Sequence, residues 1–389
     1  MRLPIPEKKK IDSKTYKLYK TTLKMALQDA PELSSRGDRP LKMTFEDQLN
    51  ALLFFHLEEH ESARDLVQDL NHNEFAKACI TPKGGISRSS FCEAINHRGL
   101  EQLQHVFMAL YKHATKVLPK QHEELGDLVA IDGSLIDAVL SMYWADYRKN
   151  SKKAKGHFGF NVNQGIPSKI HLTDGNASER PFVNMILSPG QTGIMDRGYQ
   201  SHKNFDRLQD EGKHFVCRIK EATIKTVIEK YPVEPDSYVF YDAEVLLGTR
   251  GINQTERPVR LVGYKIEGVE YFVATDRKDL SAEKIATIYK LRWTIESFFK
   301  WWKKHLKVYH LIARSKYGLM VQILGGLISY LLMVIYCREQ FNEAVSIERI
   351  RELRIKIKNE LMGLDEINHS DLNDYNFDFK ELFQRPAIT

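Results

Sequence analysis

The sequence predicts a mixed α/β fold, and three observations carry that expectation. Short apolar runs ending on an acid alternate with helical patterns between about 128 and 219. A stretch rich in β-branched and aromatic residues, from about 221 to 276, reads as consecutive antiparallel strands. The first ~120 residues carry apolar side chains at helical rather than alternating spacing.

Taken in order, Phe45–Leu57 is apolar at Leu49, Leu52, Leu53 and Leu57, which predicts a helix. Ala63–Leu70 predicts a second. The turn Lys83–Ser90 (KGGISRSS) supplies serines to cap a helix from Phe91, and Leu100–Val117 predicts another. Arg88 beside that Gly-rich turn suits a helix-turn-helix-like DNA reader, although a plain helical bundle has the same pattern. Leu128–Ile131 is an apolar run leading to Asp132, and Thr192–Met195 leads likewise to Asp196. His157–Asn163 and Lys169–Leu172 read as further strands, Ala177–Leu187 and Ser201–Asp210 as helices, and His214–Ile219 as a strand. VFYDAEVLL, VRLVGYKI and VEYFVAT follow as antiparallel strands, with a hairpin turn at Ile266-Glu267-Gly268-Val269 between the last two. Ser281 then caps a long helix to about Lys307.

The 389 residues suit two or three domains, and 42% hydrophobic with 28% charged residues is a globular composition. A net charge of +6 and a pI near 8.8 are compatible with nucleic acid without specifying it. Cys79, Cys92, Cys217 and Cys337 form no C-x-x-C pair, which argues against a disulfide framework or a thiolate zinc site and fits a reducing cytosol. No apolar leader follows the N-terminal MRLPIPEKKK, so a cytoplasmic, nucleoid-associated protein is expected. Gly318–Cys337 is about long enough to cross a membrane. Its Gln322, Ser329 and Gly325-Gly326 pair, with no second such run, instead predict a buried helix against the α/β core and no membrane association.

The chemistry is concentrated in three acids. A carboxylate at the end of a buried strand stands at the rim of a sheet, where ligands commonly bind; alone, Asp132 and Asp196 read equally well as turn residues. The segment YKLRWTIESFFKWWKK is more specific. On one continuous helix, Tyr289, Arg292, Glu296 and Lys303 fall within about 60° of one another. An ordinary surface ion pair between Arg292 and Glu296 is the plainer alternative. Three hard carboxylates can hold two magnesium ions roughly 4 Å apart, one activating water and one stabilising the leaving 3′ oxygen of a phosphodiester. Arg292 could fork onto a phosphate and Lys303 add a point charge. The basic loop Arg148–His157 (RKNSKKAKGH), with Arg148, Lys152, Lys153 and Lys155, could follow a DNA backbone or simply be solvated.

These residues resemble the insertion-sequence DDE transposases of family four. The family's third acidic block, Y-x-x-R-x-x-x-E-x-x-x-x-x-x-K, is matched by Tyr289, Arg292, Glu296 and Lys303. Its second, D-R-G-Y, is matched by Asp196-Arg197-Gly198-Tyr199, and its first by Asp132-Gly133. The resemblance spans about 125–340. It implies a ribonuclease-H-like catalytic core with Asp132, Asp196 and Glu296 as catalytic metal ligands. It implies two Mg2+, with Mn2+ as a substitute, and DNA contacts from Arg292, Lys303, Tyr289 and Arg197. It further implies a homodimer on paired terminal inverted repeats, cleavage through a DNA hairpin, and joining of 3′ hydroxyl ends to target DNA. The expected layout is an end-binding helical domain over 1–120 and a catalytic domain over 121–340 with a β insertion at about 221–276. A C-terminal helical segment, 341–389, would serve dimerisation. The insertion departs from the family in having no Trp to stack a flipped base, only Tyr231, Tyr238, Phe240, Tyr241 and Tyr264. A ribonuclease-H-like nuclease without strand transfer and a non-catalytic DNA-binding derivative are the alternatives. His56-Leu57-Glu58-Glu59-His60 matches the zinc-protease pattern H-x-x-E-H, but no downstream Glu ligand stands out.

Overall fold

A computed structural model describes residues 14–33, 41–82, 84–148, 151–305, 310–343 and 346–362. The chain begins with α1 (Lys14–Ala26), α2 (Phe45–Leu57), α3 (Ala63–His72), α4 (Glu74–Cys79), α5 (Arg88–His97) and α6 (Leu100–Val117). Short polar side chains start four of these helices. Thr44 forms a reciprocal capping box with Asp47, and Ser62, Asn73 and Ser87 each accept a first-turn N–H of α3, α4 and α5.

The sheet follows with β1 (Leu128–Asp137), β2 (Asp146–Tyr147), β3 (Ser151–Asn161) and β4 (Ile166–Asp174). Next come α7 (Arg180–Ile186), β5 (Thr192–Met195), α8 (His202–Asp210) and β6 (His214–Arg218). β4, β3 and β1 are antiparallel neighbours; β1, β5 and β6 then run parallel. This central sheet is consistent with a ribonuclease-H-like core. β7 (Lys225–Lys230), β8 (Val239–Leu247), β9 (Val259–Ile266) and β10 (Val269–Thr275) continue it, because β10 pairs antiparallel with β6 and β9, β8 and β7 follow outward. The 221–276 stretch thus extends the same sheet. Its hairpin turn has φ of 51° at Glu267 and 83° at Gly268, the left-handed pair that a two-residue turn needs.

After the sheet come α9 (Ala282–Lys290), α10 (Trp293–His305), α11 (Lys316–Phe341) and α12 (Ile347–Met362). The long helix expected from Ser281 is therefore two helices. Ser281 caps α9. At 291–295 the bonds tighten: Arg292 N–H reaches Tyr289 O at 3.1 Å, Thr294 N–H reaches Leu291 O at 3.1 Å, and Ile295 N–H reaches Arg292 O at 3.3 Å. Such i→i+3 bonds break the α-helical path without ending the chain's turn.

α11 is buried almost throughout its apolar stretch, as expected, but not where expected. It packs mainly on α6, α2, α5 and α1 and only lightly on β4. Gly325 lets α2 approach: a Cβ there would lie 3.1 Å from Leu52 Cβ. His56, on α2, bonds Gln322 O at 3.1 Å, whereas His60 bonds Asp69 at 2.9 Å. The two rings of the H-x-x-E-H segment thus serve different structural contacts. The basic run expected as a loop is also different. From Ser151 it is the first half of β3, paired with β1 through Asp137↔Lys153 to Gly133↔His157. Lys149, and residues 363–389 of the expected dimerisation segment, lie outside the described residues.

Candidate active site

β1 runs on for five residues beyond Asp132, so this acid lies within a strand and not at its end. What changes at Asp132 is the neighbour. β5 pairs with β1 only through Leu128, Val129 and Ala130, the last opposite Ile194. Two residues further along each parallel strand stand Asp132 and Asp196, at the same level, where β5 stops and the sheet opens. Leu128–Ile131 and Thr192–Met195 are buried, whereas both acids are half-buried.

Local hydrogen bonds fix the two carboxylates. Asp132 Oδ1 accepts from Gly133 N–H at 2.8 Å, and Asp196 Oδ1 accepts from Gly198 N–H at 2.8 Å, closing the Arg197–Tyr199 turn. Burial pushes the Asp132 carboxyl up to about 7; the Gly133 N–H and Arg292 pull it down, and Asp196 and Glu179 push it up.

The third acid arrives from the helical layer. Asp132 faces Phe158 across β1 and β3, so both side chains leave the same face of the sheet. Phe158 meets α10 through Phe299 and Trp302, with ring centroids 5.1 and 5.0 Å apart. Glu296, Phe299 and Lys303 recur at three and four residues along α10, hence on one helix face. Phe298, on the same helix, packs on Tyr330 of α11 at 5.2 Å, which anchors α10 from behind.

Arg292 links the groups. Its Nη1 lies 2.6 Å from Glu296 Oε1, its Cζ lies 5.9 Å from the Tyr289 ring centroid and 5.3 Å from that of Trp293, and its charge acts on Asp132. Tyr289 is buried at the end of α9 and Arg292 sits in the break, so the shared helix face is not continuous, yet the three groups still meet. Lys303 is half-buried; burial lowers its pKa, while Asp137 and Asp132 raise it. Among the described residues, no three His, Cys, Asp or Glu side chains close into a ligand set. Asp132 and Asp196 supply hard oxygen donors at one level, and Glu296 spends its carboxylate on Arg292.

The remaining DNA-contact candidates are distributed differently. Lys152 pairs with Asp146, Lys153 with Asp137 at 2.6 Å, and Lys155 with Glu179 at 3.2 Å, so these cations are balanced by acids. Arg148 and Arg197 are exposed, Arg148 with its Cζ 5.1 Å from the Tyr147 ring. Glu179 was not legible in the sequence, because it matches no block and reaches the site only through folding. A Cβ on Gly133 would lie 2.6 Å from Glu179 Oε1, so Gly133 gives it room beside Asp132. Of the aromatics over 221–276, Tyr264 is buried and Tyr238 and Phe240 are exposed.

Comparison with known proteins gives the family. Residues 123–332 match the family model described as the transposase DDE domain. The curated "Putative transposase for insertion sequence element IS4SA" of Synechocystis sp. is 27% identical over 68% of this chain and 76% of its own length. "Putative transposase y4zB" of Sinorhizobium fredii is 27% identical over 50% of this chain and 56% of its own. "Probable transposase for insertion sequence element IS5377" of Geobacillus stearothermophilus is 27% identical over 49% and 51%. The chain thus spans about half the length of the latter two. A central α/β sheet with acids at its opening is the frame of a metal-dependent polynucleotidyl transferase and endonuclease. Within that class, the chain belongs to the DDE transposases of insertion sequences.

Proposed function

We propose that this chain performs cut-and-paste transposition: it binds terminal inverted repeats as a homodimer, cleaves the ends and joins their 3′ hydroxyls to target DNA. Asp132, Asp196 and Glu296 would hold two magnesium ions. Bound there, the ions would activate water and stabilise the leaving 3′ oxygen. The observation that supports this reading is that Asp132 and Asp196 stand level where β5 ends, with Arg292, paired to Glu296, acting on Asp132.

The chain's own residues have separable tasks. Asp132 and Asp196 present oxygens from neighbouring strands, held by the Gly133 and Gly198 amides. Arg292 is the group that exchanges partners: it bonds Glu296 in the free protein and would fork onto a DNA phosphate when that carboxylate takes a metal ion. Tyr289 and Trp293 flank the guanidinium and hold its plane. Lys303 adds positive charge on the Asp132 side. Arg197 and Arg148 stand exposed at the periphery, where phosphate can reach them. A nucleoid-associated protein of the cytoplasm follows from this role.

A joining assay tests the proposal. Pre-cut ends of the chain's own element, incubated with a supercoiled target plasmid and Mg2+, should yield covalently joined products that EDTA abolishes. Nicking of the ends with no joined product would favour a nuclease without strand transfer.

A further inference from the structure

We infer that a groove of about 900 Å3 between the starts of α3 and α5 and the segment Leu311–Ser315 seats the phosphate backbone of duplex DNA. Arg64, Arg88 and Arg314 line it. They come from three separate elements, with Arg314 far along the chain from the other two, so no local periodicity accounts for their convergence. All three are exposed, and none has an acid or a hydrogen-bond acceptor for its side chain among the described residues. This contrasts with Lys152, Lys153 and Lys155 near the active site, each of which has an acid. One acid, Glu93, lines the groove against the three arginines.

The backbone adds to the same field. Ser62, Ser87 and Ser315 cap α3, α5 and α11; the first turns of α3 and α5, with Ser315 itself, border the groove. Helix starts carry partial positive charge and unpaired N–H groups. A volume of this size exceeds one phosphate and admits a run of them along a strand. Unpaired guanidiniums bind phosphate by a planar fork and release condensed counterions when they do so.

The groove also communicates with the catalytic strand. Trp144, in the loop after β1, donates its Nε1–H to Arg314 O at 3.0 Å. Backbone held at Arg314 is thus held against the loop that continues β1, the strand carrying Asp132. The inference takes from the transposase reading only the identity of the polyanion as DNA; the groove itself stands on charge and shape.

The test uses the full chain and a fluorescein-labelled duplex of arbitrary sequence, because phosphate contacts read no sequence. Anisotropy titrations across a range of salt give affinity and its salt slope. The triple variant Arg64→Ala/Arg88→Ala/Arg314→Ala should bind at least about 10-fold more weakly, with a log–log slope shallower by roughly 2–3, one increment per lost phosphate contact. The triple Arg→Lys variant should keep the wild-type slope, since the charges remain. An unchanged slope and affinity in the Ala triple would overturn the inference. So would an equal loss in the Lys triple, which would assign the effect to structure and not to charge. Thermal melting of each variant confirms the fold. Magnesium-dependent nicking is scored separately, so that loss of nicking activity in the wild type would count against the transposase reading and not against the groove.

Discussion

Two carboxyls, Asp132 and Glu58, are pushed up to about 7, and in both burial is the largest cause. Glu58 follows α2, and its side chain is 6% exposed with Lys358 Nζ 4.0 Å away. Lys358 and Arg354 favour its charged form but do not offset the burial, and Asp69 and Glu59 oppose ionisation. Its stability effect has a definite sign. The folded pKa lies above the unfolded value of 4.5, so the folded state holds the proton longer. Below 4.5 the group contributes nothing; between 4.5 and about 7 it progressively destabilises the fold; above about 7 the cost is constant. Glu58→Gln should therefore stabilise the protein above pH 7 by up to about 3 kcal/mol and have little effect below pH 4.5. Chemical denaturation at a series of pH values checks this. A stabilisation independent of pH would exclude the burial account.

At the scale of elements, the entry into β1 is fixed by one side chain. Asn163 Nδ2 donates to Gln121 O at 2.9 Å and Gly126 O at 3.0 Å, and its Oδ1 accepts from Leu128 N–H at 2.7 Å. This ties the link from α6 to the strand carrying Asp132. Asn163→Ala leaves the buried Leu128 N–H without its partner and frees two part-buried carbonyls, and should cost roughly 1–3 kcal/mol. A denaturation midpoint within error of wild type would show that water replaces the amide at no cost. Elements of this kind were unevenly legible. VFYDAEVLL, VRLVGYKI and VEYFVAT coincide with β8, β9 and β10, because alternation and a Glu-Gly turn are local signals. The break between α9 and α10 was not legible, since Leu291 and Arg292 are good helix formers and no Gly or Pro marks the change. The basic half of β3 has the local pattern of a loop, because its lysines find acids only across strands and loops.

At the scale of the whole molecule, the helices before Val117 and the catalytic core share one continuous apolar core, with α11 as its axis. The first six helices supply most of the cover for α11. Sequence showed that this helix is buried but could not show against what, since an all-round apolar pattern names no partner. The three acids were proposed from motif, and what relates them in space is long-range: the β1–β5 register sets Asp132 level with Asp196, while the Phe158–Trp302 contact and Arg292 relate α10 to Asp132. The proposed function assigns DNA binding and chemistry largely to different residues, and that separation allows the most direct test of the account. A duplex carrying the chain's own element ends is incubated with Mg2+ and scored for nicks, beside a gel shift on the same preparation. Glu296→Gln should shift the duplex as wild type does and leave it uncut, because charge is lost at the proposed metal site while the basic surfaces remain. Nicking by Glu296→Gln at the wild-type rate would contradict the assignment of Glu296 to the catalytic site.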